Sequence, residues 1–115
     1  MRPPEPTVQQ LCEHEFTLTF TLQPHDPCFA GHFDGLPVLA AVVQIGWVMA
    51  YAERFLAHRY RFMGLTSNKF LHLVRPPVTL ELNVQYRPEH ERLQFVYRRA
   101  GQVCSRGAIQ VQAWS

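Results

Sequence analysis

Three cysteines are all the thiol chemistry this 115-residue chain holds. Cys12, Cys28 and Cys104 are odd in number and never fall in a CxxC spacing. That suggests neither a disulfide framework nor a structural zinc site, so reduced thiols in a cytoplasmic protein are expected. Charge of one sign is lacking too. Eleven Lys and Arg against nine Asp and Glu leave a net +2, too little to argue for nucleic acid or a membrane surface as partner. The opening MRPPEPTVQQ has no apolar core of the kind a signal peptide needs. Its Pro3, Pro4 and Pro6 predict a loose arm over residues 1–12, because proline removes the donors that regular pairing requires. Long hydrophobic runs are scarce. The single one, Leu36 to Ala52, sits at the short limit of a spanning helix (~17–25 residues) and carries Gln44 and Gly46. It therefore reads as the centre of a folded core and not as a membrane segment. Repeats and low-complexity stretches are absent.

What is present is a core's worth of apolar residues, 47% of the chain against 17% charged, over the length of one domain, residues 1–115. His14 to Leu22 alternates Phe16, Leu18, Phe20 and Leu22 with Thr17, Thr19 and Thr21, the period of a half-buried strand. Pro24 and Pro27 break it. Pro37 suits the first turn of a helix, where its missing N–H costs nothing. That helix is predicted from about Val38 to about His58, apolar on all sides at first and amphipathic at Glu53, Arg54, His58 and Arg59. Four strands are predicted after it, at Phe62 to Leu73, Val78 to Tyr86, Leu93 to Arg99 and Val103 to Gln112. The turns Arg75-Pro76-Pro77, Arg87-Pro88-Glu89 and Ala100-Gly101 are short, which predicts an antiparallel meander. One strand, one long helix and four strands give an α+β class, a curved antiparallel sheet wrapped around one central helix.

The stretch GHFDGLPVLAAVVQIGW stands between the first strand and the helix. With Gly31, His32, Phe33, Gly35, Pro37 and Val38 in register, it resembles the signature of the hot-dog-fold 3-hydroxyacyl acyl-carrier-protein dehydratases of fatty-acid and polyene synthesis. LHLVRPPVTLELNVQY and RLQFVYRRAGQVCSRGAIQV resemble later strands of the same family, so the likeness runs from about His14 to Val111. The resemblance implies a hot-dog fold, no cofactor and no metal. It implies an acyl-carrier-protein thioester as substrate, and a homodimer or a heterodimer with a related subunit whose site lies at the interface. His32 would be the base that removes the α-proton. Phe33 and Gly35 would line the substrate, and backbone N–H groups at Ala41 and Val42 would bind the thioester carbonyl. Two departures stand out. Ala40-Ala41 replaces Pro-Gly, adding a Cβ where glycine gives access. Gly46, fourteen residues after His32, occupies the position of the family's acid and has no proton to give; a glycine within a helix also costs ~1 kcal/mol relative to alanine, so close packing or room for a ligand is expected there.

Other residues could bear on the missing role. Asp34 is two residues from His32 and is the first candidate, although loop aspartates are more often turn formers. Gln44 is a polar residue in an apolar half-helix; an amide is no general acid, but it can position a water or a hydroxyl. Glu53 lies two turns beyond Gly46, ~10 Å along the helix at ~1.5 Å per residue. Cys28 with His32 makes a nucleophile only if a third group orients the pair. His25, Asp26, Cys28 and His32 fit no standard metal spacing. Trp47, Met49 and Tyr51 are assigned to the core or to an acyl tunnel. Three functions stay open: a dehydratase, a non-catalytic acyl-thioester binding or partner subunit, and a hot-dog thioesterase.

Overall fold

The computed structural model describes residues 2–29 and 37–114. Strands β1 (Thr7–Leu11) and β2 (Glu15–Leu22) are followed by a 3-10 turn at Pro27–Phe29 and by helix α1 (Ala41–Phe55). Strands β3 (Arg59–Phe70), β4 (Val78–Arg87), β5 (Arg92–Arg99) and β6 (Gln102–Trp114) complete the chain. All six strands join one antiparallel sheet in the order β1-β2-β4-β5-β6-β3. A single helix on such a sheet is the arrangement of the hot-dog fold.

The period-2 alternation places the core. Leu18, Leu82 and Tyr97 are register partners across β2, β4 and β5, as are Phe16, Val84 and Phe95, and all six are buried. Residues opposite each other in a sheet share a face, so these rows make one apolar surface. Helix α1 lays Trp47, Val48, Tyr51 and Ala52 on that surface. Phe20 meets Trp47 edge-on at 5.6 Å between ring centroids. Burying one such side chain contributes roughly 1.5–3 kcal/mol, so the sheet and helix faces hold each other.

Three expectations are corrected. Within the described residues, the arm expected over 1–12 is not loose. Its prolines end at Pro6, and Thr7–Leu11 pairs with β2 as a strand with a bulge between Val8 and Gln10. Ahead of β1, Pro4 and Glu5 are tied to α1: the Tyr51 hydroxyl donates to the Pro4 carbonyl at 2.6 Å, and Arg54 contacts both carboxylate oxygens of Glu5 at 2.7 and 3.1 Å. The helix is shorter than Val38 to His58. Leu39 donates its N–H to the Val74 carbonyl at 2.8 Å and Ala40 is extended, which delays the helix to Ala41. Its end comes at Phe55, because Leu56 is extended and β3 already begins at Arg59.

The third correction concerns order. β4, β5 and β6 form the expected meander, with Gly101 at φ +81 in the turn between the last two, a conformation glycine adopts without strain. β3 does not join its sequence neighbour β4 but lies at the far edge beside β6. It is also displaced toward the helix, ending at Phe70 instead of Leu73, because 71–77 is a crossover that passes the start of α1 on its way to β4.

Candidate functional site

The start of α1 is built from residues on both sides of the chain's middle. Ala40 takes φ −64 and ψ 147 as the cap, without a side-chain hydrogen bond. Its carbonyl accepts from the N–H groups of Val43 and Gln44, each at 3.1 Å. Among the described residues the N–H groups of Ala41 and Val42 have no backbone or side-chain acceptor. They stand at the positive end of the helix dipole, where an oxygen carrying negative charge is stabilised. Beside them lies a cavity of about 240 Å³, lined by Val38 to Ala41, Gln44 and Phe70 to Val74. His72 is one of its lining residues and is exposed. Sequence reasoning missed it, since a histidine at the end of an apparent strand gives no signal; only the bond from Leu39 to Val74 brings its loop to the helix.

Gln44 is buried at 3% exposure and its amide is committed within the protein. Nε2 donates to the Leu39 carbonyl at 3.1 Å and Oε1 accepts from the Ser105 hydroxyl at 2.6 Å. The Tyr97 hydroxyl donates to the Gln44 backbone carbonyl at 2.6 Å. Burial holds Tyr97 protonated, with its pKa well above the ordinary tyrosine value. The amide thus braces the helix start against β6, and the backbone carbonyl of the same residue holds it to β5.

Gly46 faces the other way. It is exposed, and a Cβ built there meets nothing within 4 Å. Close packing against the described residues therefore does not explain the glycine, and the space beside it is open. Val42 at 75% exposure, Ala50 and Glu53 share its exposed side at helical spacing. Glu53 is a solvated charge near the end of the helix. Trp47 and Tyr51 belong to the core, and Met49 packs against it partly buried.

His32, Phe33, Asp34 and Gly35 lie outside the described residues. The turn leading to them is described. Asp26 accepts the Gln23 N–H at 2.6 Å, and Cys28 and Phe29 are buried. Burial, with the nearby Asp26 carboxylate second, pushes the Cys28 thiol up to about 11. At neutral pH it is a thiol and not a thiolate, the opposite of what a nucleophile needs. Among the described residues no group of three or more His, Cys, Asp and Glu could hold a metal ion. No helix among them is long and apolar enough to cross a membrane.

Comparison with known proteins bears on family and fold. Residues 8–108 match the model of the ApeI-like family, described as ApeI dehydratase. A chain of the dehydratase heterocomplex ApeI:P from Xenorhabdus doucetiae is 34% identical, with a TM-score of 0.88 over 96% of this chain and 98% of that one. An uncharacterized protein from Erwinia carotovora subsp. atroseptica is 30% identical, with a TM-score of 0.79 over 92% and 90% of the two chains. A Streptococcus mutans protein bound to acetyl CoA shares the fold at 7% identity and a TM-score of 0.75, over 100% of this chain and 94% of that one. No curated protein matches the chain.

Proposed function

The chain belongs to the ApeI-like dehydratase family, and from that premise we propose that it is the histidine-bearing subunit of a two-subunit dehydratase acting on 3-hydroxyacyl chains held as thioesters on an acyl carrier protein. Gly46 is the observation that carries the reading. At the position where the family's resemblance implies a carboxylate, this helix presents an exposed glycine with open space around it. Removing water needs a base for the α-proton and an acid for the departing hydroxyl. His32 takes the proton from the α-carbon, the electron pair forms the double bond, and the hydroxyl leaves from the β-carbon with a proton supplied to it. The Ala41 and Val42 N–H groups hold the thioester oxygen while charge builds on it. Phe33 and Gly35 line the reacting chain, and Gln44 keeps the helix start in place from behind. The carboxylate comes from the second subunit, a division of labour supported by the 34% identity to a chain of a dehydratase heterocomplex. His32 of this chain then completes one live site, while the reciprocal site built on Gly46 lacks its acid.

The test is the loss of water from a short 3-hydroxyacyl acyl carrier protein, followed by mass. It compares the chain alone, Gly46→Glu, and Gly46→Glu combined with His32→Ala, at high protein concentration where self-association supplies the second subunit. The chain alone should be slow. Gly46→Glu should gain a large part of the ~10²–10⁴-fold that general acid–base catalysis contributes, and His32→Ala should remove the gain. Full dehydration by the unaltered chain would place the acid within it, with Asp34 the first residue to replace. Release of free carrier thiol instead of water would make the protein a thioesterase.

A further inference from the structure

The outer face of the sheet, turned away from α1, carries a groove of about 560 Å³ across β3, β5 and β6. Arg92, Gln94 and Val96 of β5 alternate with the core residues Leu93, Phe95 and Tyr97, and so point away from the helix. Gln94 stands opposite Ala108 and Ala108 opposite Thr66, while Arg106 lies between Val96 and Lys69. Thr66, Ser67, Lys69, Arg92, Gln94 and Arg106 all line the groove, and every one of these side chains carries a hydrogen-bond donor. The lining holds no Asp or Glu. Lys69, Arg92 and Arg106 take part in no ion pair among the described residues. Lys69 and Arg106 are register partners, and like charges placed opposite each other in a sheet repel. An anion seated between them turns that repulsion into attraction.

β3 bends to make this place. From Thr66 to Lys69 it uses one residue more than β6 does from Ala108 to Arg106, a bulge of the kind that re-aims side chains. Ser67 within it has φ +54, a left-handed conformation that side-chain-bearing residues adopt rarely. The bulge is locked from beneath. The Asn68 amide donates to the Thr66 and Ala108 carbonyls at 3.2 and 3.3 Å, and a Cβ on Gly107 would stand 2.9 Å from the Asn68 Cα. Backbone strain held in this way clusters where a site needs it, and here it brings Ser67 and Lys69 to the groove together. A guanidinium fork, an ammonium and hydroxyls in one cleft match the oxygens of a phosphate. The volume lies within the range of small-molecule clefts, ~300–1,000 Å³, and leaves room beside a phosphate for the body that bears it. We propose that this groove binds a soluble phosphate monoester of nucleotide or sugar-phosphate size, with the phosphate between Lys69 and Arg106 and the polar body toward Gln94 and Arg92. The cavity at the start of α1 lies beside the helix, and the groove lies on the opposite face of the sheet. The inference therefore stands apart from the proposed dehydration, and its test reads no activity.

Calorimetric titration of the full chain at ~0.05 M salt, where screening is limited, tests it. The probes are adenosine 5′-monophosphate and glucose 6-phosphate, each beside its uncharged parent, together with an acyl carrier protein. One-to-one binding is expected for at least one of the two phosphates, with its parent bound about tenfold more weakly or worse. Arg106→Ala should weaken that binding about tenfold, as the loss of a charge-assisted hydrogen bond does. Arg98→Ala removes a cation of the same strand that is paired with Glu81 and lies outside the groove, and it should leave the affinity nearly unchanged. Binding of neither phosphate overturns the inference, and so does a parent bound as tightly as its phosphate. An equal loss from Arg98→Ala and Arg106→Ala overturns it too, since it would mean diffuse attraction instead of a site. Heat from the acyl carrier protein but from neither phosphate would assign the face to the carrier, again against the inference. Should circular dichroism show Arg106→Ala unfolded, Lys69→Gln replaces it, with the same expectation and the same results against it.

Discussion

At the scale of single residues, the contrast between Gln44 and Gly46 separates what holds the site from what completes it. Gln44 and Ser105 are both buried and satisfy one another at 2.6 Å. Ser105→Ala leaves the Gln44 Oε1 without that partner in a dry place, which should cost about 1–3 kcal/mol. In urea titrations, Gln44→Leu combined with Ser105→Ala should cost less than the two single losses added, since the double change removes both ends of the bond. Equal additivity would show the bond to be worth nothing. Gln44 was visible in the sequence as a polar residue in an apolar run, but its role was not. Ser105 is 61 residues away, and only the fold of β6 brings it close. Gly46 was legible as an anomaly because helices disfavour glycine; that its surroundings are empty is a fact of three-dimensional packing that no spacing reveals.

At the scale of elements, β2 and β4 were readable because alternation of phenylalanine, leucine and valine with threonine, asparagine and glutamine is a local signal. Strand β1 was not, because three prolines just ahead of it masked a short segment whose five residues are all exposed and so carry no burial pattern. The path of β3 was hidden for another reason: an edge position is decided by which strand arrives last, not by the residues of β3 themselves. The strap from the arm to α1 gives a prediction at this scale. Tyr51→Phe removes the hydroxyl that donates to Pro4 and should lower stability by about 0.5–1.5 kcal/mol, with hydrogen exchange in residues 3–11 accelerating more than in β4 or β5. Arg54→Ala removes an exposed pair with Glu5, of the kind that contributes little, and should leave the unfolding midpoint nearly unchanged. If Arg54→Ala loosens the arm and Tyr51→Phe does not, the ion pair and not the buried hydroxyl is the tie.

At the scale of the whole molecule, the buried phenols and thiol set an alkaline limit. Burial raises Tyr51, Tyr60, Tyr86 and Tyr97 above the ordinary tyrosine value, and Cys28 to about 11. The folded chain thus holds these protons more tightly than the unfolded chain does. Stability from them is complete below the unfolded values, near ~8.5 for cysteine and ~10 for tyrosine, and is lost as pH rises through the folded ones. The urea midpoint should be level to about pH 8.5 and fall steeply beyond about 10, with a gentler fall in Tyr97→Phe. A midpoint that stays level to about pH 11 would mean that the phenols titrate as freely folded as unfolded.

The place of β3 also sets a timetable. Its described neighbour is β6, which ends at Trp114, so during synthesis the apolar strand from Arg59 to Phe70 leaves the ribosome well before the strand that will hold it. Domains of this kind gain their long-range pairings last. For that interval Phe62, Met63 and Leu65 have no β6 beside them, and an unpaired hydrophobic strand of this kind is the part of an incomplete chain that is prone to aggregate.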